Sequence, residues 1–425
     1  MTDGRFTRRR FLRDTGLAAT GVVAAGRFGR AADALPRRRP NVVFVVADDM
    51  GTHLGCYGDE QAVAPHLDRF GTENVLFRHA YTTAASCSPS RASMLTGLWP
   101  HQHGQIGLSH LGFSMEGAPR NIPRVLARAG YRTGVLGKIH VEPQSAFGFD
   151  FRYGGFDYTV DGKKTLLTPS PVPVIDHRWN EKREKIHRMQ SPREVDALVA
   201  RFLTETGDRP FFLMVNLLDP HPPYYHQVQG VPEQPKKPEE MRRLAMLPPG
   251  ETFYPNAAAA YYNGCTRVDT IFGGIMRRLR ERGLLENTLL VFLGDHGPAF
   301  GNRGKGTCYE AGVNIPLLVR FPGRGPAREV TVPVSVIDLL PTVLDATGLS
   351  GGEGLPGRSL RVLSAGGRES RPAIFCEYTY HVPDMLKPMR SVRDRRYKLI
   401  HNLHAPMYGR MLEEWGIEEL DPGSP

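Results

Sequence analysis

Asn41-Val42-Val43-Phe44-Val45-Val46-Ala47-Asp48-Asp49 is one asparagine, six apolar residues and two carboxylates. A run apolar on both faces and rich in valine reads as a strand buried on both sides, which is the habit of parallel sheets. Tyr131 to Leu136, Phe211 to Leu217 and Leu289 to Leu293 read the same way. Between the last two, Cys265, Val268, Phe272, Ile275 and Leu279 recur every three or four positions, and Gly283 supplies a helix stop. Strands alternating with such helices predict an α/β fold, a largely parallel sheet flanked by helices.

Two stretches depart from this pattern. Residues 227–256, with Pro232, Pro235, Pro238, Pro248, Pro249 and Pro255, read as a long surface excursion, of a length usually functional or disordered. Beyond about residue 350, Gly-rich linkers and two β-like runs, Ala373 to Tyr380 and Met389 to Ile400, predict a small antiparallel C-terminal subdomain. The chain divides accordingly into residues 1–34, a catalytic core over 35–350 and a subdomain over 351–425. No internal repeat is evident.

The 425 residues carry 54 Lys+Arg against 44 Asp+Glu, a net charge of +10, and 40% are hydrophobic. That is too apolar for a disordered chain, and long enough for one large domain plus a smaller one. Five cysteines are too few for a disulfide scaffold, and the odd number leaves at least one thiol unpaired. Four of the ten net charges lie in residues 1–34, which hold seven Arg against three Asp. There Thr7-Arg8-Arg9-Arg10-Phe11-Leu12-Arg13 precedes a mildly apolar stretch, Leu17 to Ala25, and the small-x-small triplet Ala32-Asp33-Ala34. The order resembles a twin-arginine signal peptide, which implies the twin-arginine export machinery as partner and a periplasmic or extracellular bacterial location. A disordered basic arm is the bland alternative. No other apolar run approaches the ~20 residues of a membrane span, so none is expected. The remaining charge forms no nucleic-acid footprint.

Asp48-Asp49 closes the first strand, and Asp295-His296 follows Leu289 to Leu293. In open α/β sheets ligands gather at the carboxyl ends of strands. Carboxylates brought together there repel unless a cation neutralises them, and Ca²⁺ or Mg²⁺ accepts such oxygens with a histidine tolerated beside them. One acidic pair is often a cap or turn former; two point to a metal. Cys87-Ser88-Pro89-Ser90-Arg91, followed by Ala92-Ser93-Met94-Leu95-Thr96-Gly97, sets a thiol in a turn before a helix. The helix dipole would stabilise an anion there, with Arg91 one turn along. As a structural residue, Cys87 would be a small buried hydrophobe.

Cys-x-Pro-x-Arg with a Thr-Gly tail is the signature of the type I sulfatases, and it stands complete at Cys87, Pro89, Arg91, Thr96 and Gly97. The chain resembles that family along most of its length. The family's metal site matches Asp48, Asp49, Cys87, Asp295 and His296. Its other motifs match Gly137-Lys138-Ile139-His140, Asp219-Pro220-His221 and Lys305-Gly306-Thr307-Cys308-Tyr309-Glu310. Singly, Lys138, His140, His221 and Lys305 could be loop residues; their joint order carries the functional reading. His101, His103, His110 and His226 match nothing, and could line a pocket, pack or lie on the surface.

The resemblance implies an alkaline-phosphatase-like fold, a bound Ca²⁺ (Mg²⁺ is the alternative) and a maturation enzyme that oxidises Cys87 to formylglycine, an aldehyde that hydrates to a gem-diol. It implies further that one diol hydroxyl attacks sulfur while Lys138 and Arg91 steady the diol. His221 and Lys305 would contact the sulfate, one of them protonating the leaving atom. His140 would take the second hydroxyl's proton, so that the sulfated diol collapses and releases sulfate.

Several stretches resemble the heparan N-sulfatases within that family: Ala85 to Ser93, Gly137 to Val141 with Phe149-Asp150-Phe151, Met389 to Val392, and Leu399 to Leu403. Lys305, however, has the form general among O-sulfatases. A sulfated carbohydrate from glycosaminoglycan degradation is the expected substrate, N-sulfoglucosamine ahead of an O-sulfated glycan or aryl sulfate. Family members usually continue past the strand at Tyr397 to Leu403 with a Glu-Leu-Tyr-Asp segment before an Asp-Pro turn, whereas this chain ends soon after Glu419-Leu420-Asp421-Pro422, so the C-terminal subdomain is expected to be abbreviated. Two rivals remain. One is a phosphatase, phosphodiesterase or phosphonate hydrolase of the same superfamily, which usually has Ser or Thr as nucleophile and two metals. The other is an inactive sulfatase-like glycan-binding protein, which would have lost part of the set; none is lost.

Overall fold

The computed structural model describes residues 39–117, 119–153, 159–160, 163–164, 191–323, 325–367, 371–381 and 386–403. The signal-like segment and the Glu419-Leu420 stretch lie outside them.

Eight strands form the main sheet, in the order Arg328–Val330, Val75–Phe77, Leu317–Arg320, Thr288–Gly294, Asn41–Ala47, Phe211–Leu217, Arg132–Gly137 and Phe151–Tyr153. Leu317–Arg320 alone runs antiparallel to its neighbours. The Asn41–Ala47 strand is buried along all seven residues between two parallel partners, as its unbroken apolar run requires. Alternate residues face opposite layers. Val43 and Val45 meet the helices Pro192–Thr206 and Pro255–Glu281, while Val42, Phe44 and Val46 share a core with residues of helices Cys87–Thr96, Ile122–Arg128 and Leu339–Thr347. On the first face helix and sheet touch closely: a Cβ at Gly134 would lie 2.4 Å from Phe202 Cε2.

Register positions the site. Ala47 pairs with Leu217 and with Gly294, and Gly137 with Asn216, so four strands end level. The residues that follow, Lys138, Asp48 and Asp295 with the Asp219 turn, emerge along one edge of the sheet.

The 227–256 stretch is no bare surface excursion. Met241, Leu244 and Leu247 sink into the same core as the long helix, and their spacing of three is the apolar signal that the prolines mask. The C-terminal sheet has three antiparallel strands, Ile374–Tyr378, Met389–Arg393 and Lys398–Asn402. The run Met389 to Ile400 is therefore two strands. It folds back at Asp394, whose Oδ1 accepts the backbone N–H groups of Arg396 and Tyr397 at 2.7 and 2.5 Å. One side of this sheet buries Ile374, Cys376 and Tyr378 against Tyr81, Ala85 and Cys308. All five cysteines, Cys56, Cys87, Cys265, Cys308 and Cys376, are free. Among the described residues no helix is long and apolar enough to cross a membrane.

Candidate active site

Cys87 opens the helix Cys87–Thr96, every residue of which is buried, and the level strand ends bring the other groups to it. Asp49 (φ 60°) and His140 (φ 55°) both hold the left-handed conformation that non-glycine residues seldom adopt. Strain of that kind collects at functional sites.

Arg91 ties the floor together. Its Nε donates to Asp295 Oδ2 at 2.9 Å, Nη2 to Asp48 Oδ1 at 3.2 Å, and Nη1 to Asn216 Oδ1 and the Lys138 carbonyl at 3.0 Å each. Lys138 Nζ lies 2.6 Å from Asp48 Oδ2, and Lys305 Nζ lies 2.7 and 3.0 Å from the two Asp49 oxygens. His296 Nδ1 donates to the Gly297 carbonyl at 2.9 Å. That hydrogen bond leaves Nε2 to face Cys87 Sγ at 3.2 Å and Asp49 Oδ1 at 3.4 Å. A ring nitrogen of His221 falls within 4.8 Å of both Cys87 Sγ and an Asp49 oxygen. His140 stacks on His110, with Nε2 and Nδ1 2.9 Å apart. Four of the six expected catalytic groups, Lys138, His140, His221 and Lys305, thus gather about the sulfur of a fifth, Cys87, while Arg91 spends its guanidinium on the carboxylates beneath it.

The charges shift one another. Burial alone would raise the Cys87 thiol, but Lys138, Lys305 and His296 hold it well below its ordinary value. Burial likewise opposes ionisation of Asp48, and Lys138 and Arg91 override it. Burial pushes Asp295 up to about 7, His296 opposing and Asp48 adding. His296 resists its own burial and is drawn up to about 9, chiefly by Asp295 and Cys87. Burial, with Lys138, holds His140 down to about 3. Burial also lowers His221, against the pull of Asp49.

Asp48, Asp49 and Asp295 bring carboxylate oxygens within 4.8 Å of one another, and Cys87, Asp295 and His296 form a second such group. Three buried carboxylates this close repel one another unless a positive charge joins them, and they fit a divalent cation. The Sγ of Cys87 borders both this carboxylate set and a ring nitrogen of His221.

Other residues went unread in the sequence. Asn216, which receives Arg91, is the one polar side chain in Phe211–Leu217, and that interruption was its signal. Arg267 is buried in the long helix and clamps both Asp219 oxygens at 2.8 and 2.7 Å, fixing the turn that carries His221. Of the unmatched histidines, His110 joins the site and His103 packs fully buried against Ser93. His101 is mostly exposed beside Glu377, and His226 meets Asn256.

This architecture, with a cysteine at a helix start above paired carboxylates, defines a sulfatase of alkaline-phosphatase-like fold. The chain belongs to the sulfatase family: the Sulfatase family model matches residues 40–349, and that of the N-sulphoglucosamine sulphohydrolase C-terminal region matches residues 296–419. It is 34% identical to human N-sulphoglucosamine sulphohydrolase over 411 residues, 88% of this chain and 75% of that one. With human arylsulfatase A it shares 30% identity, over 85% of this chain and 74% of that protein. Among solved structures, a phosphonate monoester hydrolase from Silicibacter pomeroyi superposes with a TM-score of 0.67 at 22% identity, covering 89% and 94% of the two chains. The protein is therefore a hydrolase of sulfate esters or sulfamates.

Proposed function

We propose that this enzyme is an exported, formylglycine-dependent sulfatase that removes sulfate from a sulfated sugar, N-sulfoglucosamine before O-sulfated glycans or aryl sulfates. The observation that carries the reading is the ring of Asp49, His221, His296 and Lys305 about Cys87. A buried cysteine serving only as core would not gather two histidines, a carboxylate and a lysine. The 34% identity to a human N-sulphoglucosamine sulphohydrolase supports the sugar, and the arylsulfatase relative together with the lysine at 305 supports the O-sulfate alternative.

Asp48, Asp49, Asp295 and His296, with oxidised Cys87, would hold Ca²⁺. When bound, the ion neutralises charge on the sulfate oxygens. Lys138 and Lys305 supply the remaining positive charge, and Arg91 holds the carboxylates in register from below. His221 carries its proton on Nδ1, toward the Pro222 carbonyl at 2.5 Å, so leaving-atom protonation falls to Lys305 or to a doubly protonated His221. His140, held neutral by burial, is a base ready to take a proton from the hydrated side chain of residue 87.

Sulfate release from N-, 2-O-, 3-O- and 6-O-sulfated glucosamine, beside an aryl sulfate and an aryl phosphate, tests the substrate. The expected result is fastest release from the N-sulfated sugar; faster aryl phosphate turnover sinks the reading. Peptide mass analysis of active enzyme should find formylglycine at residue 87, and an intact thiol there overturns the mechanism. Export should fail in Arg8→Lys with Arg9→Lys, as followed by cell fractionation.

A further inference from the structure

Ser86 is the N-cap of the helix that Cys87 begins, and a serine in that position ordinarily accepts a first-turn backbone N–H. Here it makes no such cap. Its Oγ lies 2.9 Å from His381 Nδ1 instead. His381 follows the strand Ile374–Tyr378, and that strand is tied to the chain just before the nucleophile by a 2.7 Å hydrogen bond from Glu377 N–H to the Thr83 carbonyl. Tyr380, next to it, packs on Phe113 with ring centroids 4.9 Å apart. On the other side of Cys87, Ser88 Oγ accepts the Ser109 N–H at 3.0 Å and steadies the loop that carries His110. The two serines flanking the nucleophile therefore each hold a loop bearing an imidazole, and neither imidazole belongs to the matched motifs.

Burial lowers the His381 pKa far below its ordinary value, Lys305 adding to the effect. The ring is thus neutral, with Nε2 as its hydrogen-bonding atom besides the one facing Ser86. The sulfate needs positive charge, which Lys138 and Lys305 supply. A neutral imidazole suits an uncharged polar neighbour.

We propose that His381 contacts the substrate and helps set its specificity: held by Ser86 through Nδ1, it hydrogen-bonds through Nε2 to a hydroxyl of the sugar bearing the scissile sulfate. This rests on the sulfated-sugar reading above. It also gives the C-terminal sheet a part in substrate choice, since the sheet delivers the ring.

The test compares His381→Ala, His381→Gln and Ser86→Ala on the panel sugar that wild-type enzyme cleaves fastest and on para-nitrophenyl sulfate, which has no sugar hydroxyls. His381→Ala should lose about tenfold in kcat/KM on the sugar, mostly through KM, and severalfold less on the aryl sulfate. His381→Gln should recover part of the loss, and Ser86→Ala should shift selectivity the same way by a smaller factor. Equal losses on both substrates, or a fall in melting temperature or formylglycine content that accounts for the loss, would make the role structural and overturn the proposal. So would an unaltered KM for the sugar, and in that case the sugar reading itself stands. Wild-type enzyme that cleaves the aryl sulfate and no sugar removes both.

Discussion

Two regions of this molecule exclude water equally and use the exclusion in opposite ways. Under the long helix, Val268, Phe272 and Phe292 are 0% exposed and belong to one continuous apolar core. At the strand ends, Asp48, Arg91 and Asp295 are also 0% exposed, and they meet one another. Each large apolar side chain in the first region contributes about 1.5–3 kcal/mol by leaving water. The charges of the second roughly break even while every partner is present and cost several kcal/mol once one is removed. Stability is drawn from the helix layer, and reactivity is concentrated at the strand ends.

The sharpest break between the regions should come from Cys87→Ala. Turnover is expected to fall by roughly four orders of magnitude or more if residue 87 supplies the nucleophile as proposed, while the urea midpoint stays close to wild type. A variant retaining a tenth of the activity would show that Cys87 is not the nucleophile.

Next come paired truncations of similar energetic size. Asp48→Ala strands Arg91 and Lys138, and should cost about 3–5 kcal/mol of stability together with nearly all activity. Phe272→Ala leaves a cavity and should cost about 3–5 kcal/mol, while the kcat/KM of the folded fraction changes little. Urea melts and assays on the same preparations separate the two; equal activity losses would dissolve the contrast.

His103 tests burial of a single titratable ring. Its Nδ1 accepts the Gln105 N–H at 3.1 Å and its Nε2 faces Ser93 Oγ at 3.0 Å, so it is held neutral, and burial pushes its pKa down to about 3. Unfolded histidine titrates near pH 6.5, so this folded pKa is depressed. The stability is fully present above about pH 6.5 and is lost as pH falls toward 3, by up to about 2 kcal/mol at pH 5. His103→Gln should flatten the pH dependence of stability over that range in urea titrations; an unchanged slope would assign the loss to other groups.

The smallest effect belongs to the surface. Arg69 and Glu73 pair at 2.7 Å one helical turn apart, with side chains 79% and 42% exposed. Arg69→Ala should cost under about 0.5 kcal/mol, and less in high salt. A larger loss would mean that exposed charge matters more here than its setting suggests.

Much of this contrast was legible in advance. The unbroken apolar runs announced a doubly covered sheet, because a strand with no polar face has nowhere to meet solvent. The signature at Cys87 and the carboxylates at 48, 49 and 295 announced a site, because such groups at strand ends need a compensating charge. Local pattern misled where prolines outweighed a sparse apolar spacing, at Met241, Leu244 and Leu247. It also misled where a tight turn at Asp394 hid inside a β-like run.

The sequence by itself determined the sheet, the order of the motifs and the chemistry each side chain can offer, since these depend on residue type and short-range spacing. Only the tertiary structure decided what each group is spent on. Arg91 binds side chains 43, 125 and 204 positions away, and Ser86 exchanges its cap for a histidine 295 positions on. Those choices follow from strand register and sheet packing, which bring distant residues together while leaving no periodic trace along the chain.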